Sequence, residues 1–168
     1  MTNPEPDSRG RGLARLIFVR LPYMVTGVLM LAAVAVNFAN VIARYVFSSA
    51  IFWTEEVLVF LMLWSVFLAA VTIAFNGEHI NMDLFFTRFG RVWKQLIMGS
   101  VALVFIGCCA FLVMQSWQVV SLHVMNGTRS VAAGVPMAVP HLALLVGFGL
   151  MALAVAYRFR AYLRGSFE

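Results

Sequence analysis

Four long apolar stretches dominate the chain and determine its predicted architecture. They cover residues 21–43, 57–75, 95–120 and 135–157, and none of them contains Asp, Glu, Lys or Arg. A helix needs about 20 apolar residues, at a rise of about 1.5 Å each, to cross the hydrocarbon core of a bilayer. The pattern therefore predicts an all-α membrane protein with four transmembrane helices.

The segment between the second and third stretches has a different periodicity. Over residues 81–96 apolar positions recur at helical spacing, and the opposite face is polar and basic. The apolar positions are Met82, Phe85, Phe86, Phe89, Val92, Trp93 and Leu96. This pattern is typical of an amphipathic helix lying in the membrane interface, and we predict one here. The alternative is that these residues begin the third transmembrane helix.

Composition supports a single integral membrane domain. We predict a tail over residues 1–20, a transmembrane domain over residues 21–157 and a second tail over residues 158–168. The chain is 62% hydrophobic and 11% charged, whereas a soluble domain is roughly half apolar and a quarter charged.

The basic residues are unevenly divided between the two sides of the predicted membrane. Ten of the twelve Lys and Arg residues lie before the first stretch, between the second and third, or after the fourth. Lys and Arg near the ends of spans remain cytoplasmic. We therefore predict cytoplasmic termini, a cytoplasmic segment at residues 76–94, and periplasmic loops at residues 45–54 and 121–134. The net charge of +5 then points to membrane lipid as a partner and not to nucleic acid.

Small and polar residues recur along the first stretch. Ala35 and Ala39 are four residues apart, and Asn37 and Asn40 lie on nearby faces. Small residues allow transmembrane helices to approach closely, and a buried Asn can hydrogen-bond a neighbouring helix. We expect these residues to pack within the chain; a docking face for another subunit is the alternative.

Residues that could support catalysis or bind a cofactor are scarce. Cys108 and Cys109 are adjacent in the middle of a span, where thiols behave as small apolar residues. We expect His79 at the cytoplasmic end of the second span, His123 just outside the periplasmic end of the third and His141 inside the start of the fourth. No two of them are expected to share a metal site. The sequence therefore predicts no catalytic residue, no metal and no cofactor, and the protein is not expected to be an enzyme.

A group of polar residues flanks the start of the second stretch. Glu55 and Glu56 follow Trp53, and Arg44 is expected at the same level of the membrane. Acidic residues in a first helical turn complement the macrodipole, and Thr54 could cap the helix. An ion pair between Arg44 and one carboxylate, in a partly dry interface, is an equally good explanation.

The same region carries a family resemblance. It resembles the DctQ-type small membrane subunit of tripartite ATP-independent periplasmic (TRAP) transporters, whose pattern runs Arg-Tyr-x-Phe, Trp-x-Glu-Glu, Phe-Leu-Gly-Ala and Gly-x-His-x-x-x-Asp. The matching residues here are Arg44, Tyr45, Phe47, Trp53, Glu55, Glu56, Trp64, Phe67, Leu68, Ala70, Gly77, His79 and Asp83. A second, weaker match covers Gly134-Val135-Pro136 and Val146-Gly147-Phe148, with Leu145 where the family has Pro.

The resemblance implies a specific role. The small subunit would brace a large permease subunit during sodium-driven import of an organic anion, which a periplasmic binding protein delivers. Contacts with the large subunit or the binding protein would involve Arg44, Trp53, Glu55, Glu56, Gly77, His79 and Asp83. The resemblance also implies that the chain is a multi-pass protein of the bacterial inner membrane.

Two other classes of membrane protein would need features of their own. A self-contained redox protein would need paired haem-ligating histidines or cysteines in exposed loops. A small stand-alone exporter would need an acidic residue at membrane depth. The sequence shows neither feature.

Overall fold

Four helices form the fold of the described part of the chain. The computed structural model describes residue 12, residues 14–76 and residues 91–158. Helix α1 spans Leu21–Val46 and follows directly from a π-helical turn, Leu16–Arg20; α2 spans Thr54–Asn76, α3 spans Arg91–Asn126 and α4 spans Ala138–Tyr157. Each helix is long and apolar enough to cross a membrane. The predicted all-α membrane architecture with four transmembrane helices is confirmed.

At the α3–α4 connection, the end of α3 and the start of α4 differ from the predicted spans for local reasons. Helix α3 runs on to Asn126, because the first residue that stops it is Gly127, with a φ of 59°. This left-handed conformation is a common way to end a helix and favours glycine. Helix α4 begins only at Ala138, because Val135 and Met137 make backbone hydrogen bonds to the preceding loop.

The predicted interfacial helix falls largely on residues 77–90, which lie outside the described residues. Its last part, from Arg91 onward, forms the first turns of α3. For those residues the alternative reading, a start to the third membrane helix, is the one observed.

The helices form a row and not a closed four-helix bundle. Helix α1 packs on α2, α2 packs on α4, and α4 packs on α3. We call this arrangement the helix row; α1 and α3 are its edges. The closest approach is between α2 and α4, where a Cβ placed on Gly147 would lie 2.7 Å from the Cβ of Phe67. Only glycine permits this contact, and Phe67 then packs edge-to-face on Phe148, with ring centroids 5.2 Å apart.

The two ends of the helix row are different. We call the end that carries the α1–α2 and α3–α4 connections the loop end, and the opposite end the termini end. At the termini end Phe18 stacks on Phe75 at 5.4 Å, and the Arg158 guanidinium lies 5.0 Å from the centre of the Phe75 ring while donating to the Phe75 carbonyl at 3.0 Å. The main apolar core is close by and comprises Val71, Ala74, Met98, Ala102, Cys109, Met151 and Val155.

The edges of the row leave large apolar side chains uncovered. Leu31 on α1 is 73% exposed and Met114 on α3 is 66% exposed. A soluble monomer rarely exposes apolar surface on this scale. These surfaces suit lipid or another membrane protein.

Candidate functional site

The α3–α4 connection is a tight hairpin. Ser130 donates its amide hydrogen to Val135 at 2.8 Å, and Met137 donates to Thr128 at 3.0 Å. The Ser130 hydroxyl also accepts the Val135 amide at 3.2 Å, and Gly134 turns the chain with a φ of 65°. The hairpin therefore presents residues 131–133 at its tip with their amides free of these internal bonds.

Glu56 binds that tip. One carboxylate oxygen accepts the Ala132 amide at 3.1 Å and the other accepts the Ala133 amide at 2.8 Å. Ser130 and Val131 add further polar contacts to the same carboxylate. Consecutive backbone amides that converge on one anion form a strong, charge-assisted cradle. Glu56 thus fastens the first turn of α2 to the α3–α4 hairpin.

Asn40 plays a similar part in the α1–α2 connection. Its side-chain oxygen accepts the Ile51 amide at 3.1 Å, and the residue is only 8% exposed. The connection leaves α1 through Ser48, which has a φ of 50°, and Ser49 donates to the Ala43 carbonyl at 3.0 Å. Both loops at the loop end are therefore fixed by a side chain of a transmembrane helix.

Glu55 has a different environment from its neighbour. Its carboxylate lies 3.9 Å from the Arg44 guanidinium, and the two side chains are 79% and 56% exposed. An ion pair at that separation and exposure contributes little stability. The predicted partnership of Arg44 with a carboxylate is thus formed with Glu55, and both side chains are exposed in the isolated chain.

Thr54 does not cap α2 as the sequence suggested. The residue is fully buried, and its hydroxyl oxygen has no hydrogen-bond partner among the described residues. The helix start is held instead by the Thr54 amide, which donates to the Ile51 carbonyl at 3.2 Å. That carbonyl belongs to the residue whose amide Asn40 binds, so the two contacts fix the same turn.

Two of the histidines, His123 and His141, are neighbours. The rings of His123 and His141 stack with centroids 4.8 Å apart, and His123 Nδ1 lies 2.6 Å from the Thr128 hydroxyl. The sequence predicted His123 just outside the third span and His141 inside the start of the fourth; the two rings meet because α3 continues to Asn126. The pair stabilises the base of the hairpin.

The remaining candidate residues fall into three groups. Trp53 is 45% exposed beside Thr54. Gly77, His79 and Asp83 lie outside the described residues. On α1, Ala35, Asn37 and Ala39 are exposed, whereas Ala33 and Asn40 are buried.

The cysteines likewise differ from each other. Cys109 is buried against the core, whereas Cys108 is exposed on the outer surface of α3.

The loop end therefore combines fixed backbone with outward-facing side chains. Tyr45 is 79% exposed, Phe52 is 85% exposed and Val131, at the hairpin tip, is 98% exposed. Together with Arg44 and Glu55 they form a mixed apolar and charged surface. Such a surface is suited to contact with another protein or with the membrane interface, and it carries no arrangement of nucleophile, base and oriented partner.

Comparison with known proteins gives consistent results. Residues 33–165 match the family described as "Tripartite ATP-independent periplasmic transporters, DctQ component". A relative from Haemophilus influenzae, named "Putative TRAP transporter small permease protein", is 30% identical over 149 residues, which are 86% of this chain and 88% of that protein.

A second relative is much larger. The "Isethionate TRAP transporter permease protein DctMQ" of Oleidesulfovibrio alaskensis is 28% identical over 138 residues, or 79% of this chain. The chain spans about a fifth of that protein, since the match covers 21% of its length.

Proposed function

The chain belongs to the DctQ component family of tripartite ATP-independent periplasmic transporters, and we propose that it braces the large permease subunit during sodium-driven import of an organic anion. In this proposal a periplasmic binding protein delivers the anion. The family is a transporter family, and the four apolar helices make the chain a multi-pass protein of the inner membrane.

The observation that carries this proposal is the position of the charged side chains. Among the described residues, the helices have charged side chains only near their ends, with Arg44 on α1 and Glu55 and Glu56 on α2 as examples. A carrier that binds sodium or relays protons needs polar or ionisable groups that converge inside the membrane. This chain supplies structure and contact surface, and the ion and substrate sites are assigned to a partner.

The relatives support a large membrane partner. In DctMQ, the region similar to this chain is one part of a permease about five times as long. We infer that this chain is the separate counterpart of that part and that it associates with a large subunit in the membrane.

The loop end is the proposed periplasmic surface. Ten of the twelve basic residues lie in the segments that flank the termini end, which favours cytoplasmic termini. Arg44, Trp53 and Glu55 would then contact the large subunit or the binding protein, while Glu56 keeps the adjoining hairpin in place. Gly77, His79 and Asp83 would belong to a second contact on the cytoplasmic side.

Reconstitution tests the proposal. The chain, its large subunit and the binding protein are incorporated or added to proteoliposomes without ATP, and each component is omitted in turn. We expect uptake of organic anions only with all three present, and only with an inward sodium gradient. Uptake by this chain alone, or uptake that needs ATP and ignores sodium, would contradict the proposal.

A further inference from the structure

Helix α3 packs through one narrow stripe. The side that faces α4 carries Met98, Ala102, Cys109, Ser116 and Val120, all buried. On the opposite side, exposed residues follow each other at alternating spacings of four and three, the repeat typical of a seam between two helices. They are Val104, Cys108, Phe111, Gln115, Gln118 and Leu122. We call these six residues the α3 seam.

Two contacts give the depth of the seam in the membrane. His123 on α3 stacks on His141 on α4, and the two helices are antiparallel neighbours. Trp117 lies six residues before His123 on α3, and Gly147 lies six residues after His141 on α4. Because both helices rise by the same distance per residue, Trp117 is level with Gly147, which is at the centre of α4. Gln115 and Gln118 are therefore within about 3 Å of the middle of a helix about 30 Å long, the thickness of the hydrocarbon core.

Neither Gln side chain has a partner at this depth among the residues that the structure describes. Within residues 14–76 and 91–158, no residue forms a hydrogen bond with either carboxamide. Each carboxamide has two donor hydrogens and an acceptor oxygen. Acyl chains cannot satisfy these groups, and leaving them unbonded in hydrocarbon is costly. Neighbouring membrane helices satisfy such groups through interhelical hydrogen bonds.

The surface beside the seam has room for side chains of another helix. A depression of about 380 Å³ lies next to Cys108, between Val101 and Phe105. A second one, of about 340 Å³, lies next to Gln118 and reaches Leu145 on α4. Their linings are almost entirely apolar, so the two Gln residues provide the polar specificity of the surface.

We propose that the α3 seam binds a transmembrane helix of the large permease subunit, which donates to and accepts from Gln115 and Gln118. This inference rests on the proposed function and names the surface through which it is exercised. In DctMQ a region similar to this chain is part of the same polypeptide as the rest of the permease. One copy of this chain would therefore accompany one large subunit, and the large subunit is the expected neighbour. A polar residue within an otherwise apolar seam fixes the partner and the register of two helices.

Site-specific photo-crosslinking in the whole complex tests the position of the contact. A photoreactive phenylalanine analogue replaces Phe111, which is 60% exposed in the seam, or Phe38, which is 65% exposed on α1 and serves as the matched control. We expect Phe111 to form a product with the large subunit and Phe38 to form less of it. A product at twice the mass of this chain, a product from Phe38 alone, or no protein product would overturn the inference.

Removing the carboxamides tests their contribution. The double variant Gln115→Leu, Gln118→Leu remains apolar and compatible with the membrane, and Phe38→Leu changes an exposed side chain on α1 as a control. We expect the double variant to bind the large subunit about tenfold more weakly, because it loses two modest interhelical hydrogen bonds. The control should bind normally. Unchanged binding of the double variant would overturn the inference.

The two proposals fail in different ways. If the wild-type chain never co-purifies with a large subunit, the proposed function is wrong. If it co-purifies but the seam neither cross-links nor responds to substitution, only the seam inference is wrong.

Discussion

The Glu56 carboxylate accepts the amide hydrogen of Ala133 at 2.8 Å, across 77 residues of sequence. The contact joins the start of α2 to the hairpin between α3 and α4, and so connects the two loops of the loop end. Glu55, one residue earlier, points outward to Arg44. Glu56 thus fixes the hairpin that forms part of the loop end, while Glu55 is exposed on its surface.

Glu56→Ala should loosen the α3–α4 hairpin, because the amides of Ala132 and Ala133 lose their acceptors. We expect faster hydrogen exchange over residues 130–135, measured by mass spectrometry in detergent micelles. Glu56→Gln should have an intermediate effect, since an amide group retains one acceptor and turns a donor toward the other N–H. Glu55→Ala is the matched control and should leave exchange in the hairpin unchanged. Wild-type protection in Glu56→Ala would show that the carboxylate does not hold the hairpin.

Asn40→Leu should destabilise the isolated chain by about 1–3 kcal/mol, because the Ile51 amide loses its acceptor in a largely buried place. Denaturant unfolding of the detergent-solubilised protein measures the change. Asn37→Leu, which removes an exposed carboxamide, should change stability by less than about 0.5 kcal/mol. Equal effects of the two substitutions would contradict the assignment of Asn40 as the residue that fixes the α1–α2 loop.

Gly147→Ala should weaken the packing of α2 on α4. The added methyl group would meet Phe67 at 2.7 Å, and relieving such a contact in a packed helix pair costs about 1–3 kcal/mol. Gly149→Ala is the control, because no atom lies within 4 Å of its added Cβ; it should be neutral or slightly stabilising. Unfolding curves of both variants in mixed micelles test this, and a tolerated Gly147→Ala would mean that the two helices can separate without cost.

Arg44→Ala should leave the stability of the isolated chain within about 0.5 kcal/mol of the wild type, because its ion pair with Glu55 is long and exposed. If Arg44 contacts a partner, the same substitution should lower uptake by the reconstituted transporter. Thermal unfolding and substrate uptake, measured on one preparation, separate the two roles. Glu5→Ala serves as the control for uptake, and normal uptake in Arg44→Ala would leave the residue as part of the helix end only.

The sequence predicted the helices well because apolar length is a strong signal. Runs of about 20 residues without charge have few alternatives to a membrane helix. Sequence could also single out Gly147 and Phe67 as parts of a family pattern. Their contact depends on the packing of α2 against α4, and the periodicity of the sequence does not encode which helices pack together.

The finer assignments depended on helix phase and helix length. Glu55 and Glu56 are adjacent in sequence but about 100° apart around α2, so only the placement of the hairpin decides which one binds it. Asn37 and Asn40 were grouped in one predicted seam, yet one is exposed and the other is buried. His123 reaches His141 because α3 extends past the apolar stretch. The average hydrophobicity of the sequence does not show these last helical turns.

The position of α4 in the helix row has a consequence for biogenesis. Helices α1 and α2 can pair as soon as both have left the ribosome, but α3, the next to be made, packs mainly on a helix that does not yet exist. The last span to be synthesised is the one that joins α2 to α3. Assembly of the domain therefore waits for the final helix, and until that moment α3 is held in the bilayer mainly by its hydrophobicity, with Gln115 and Gln118 exposed on its surface.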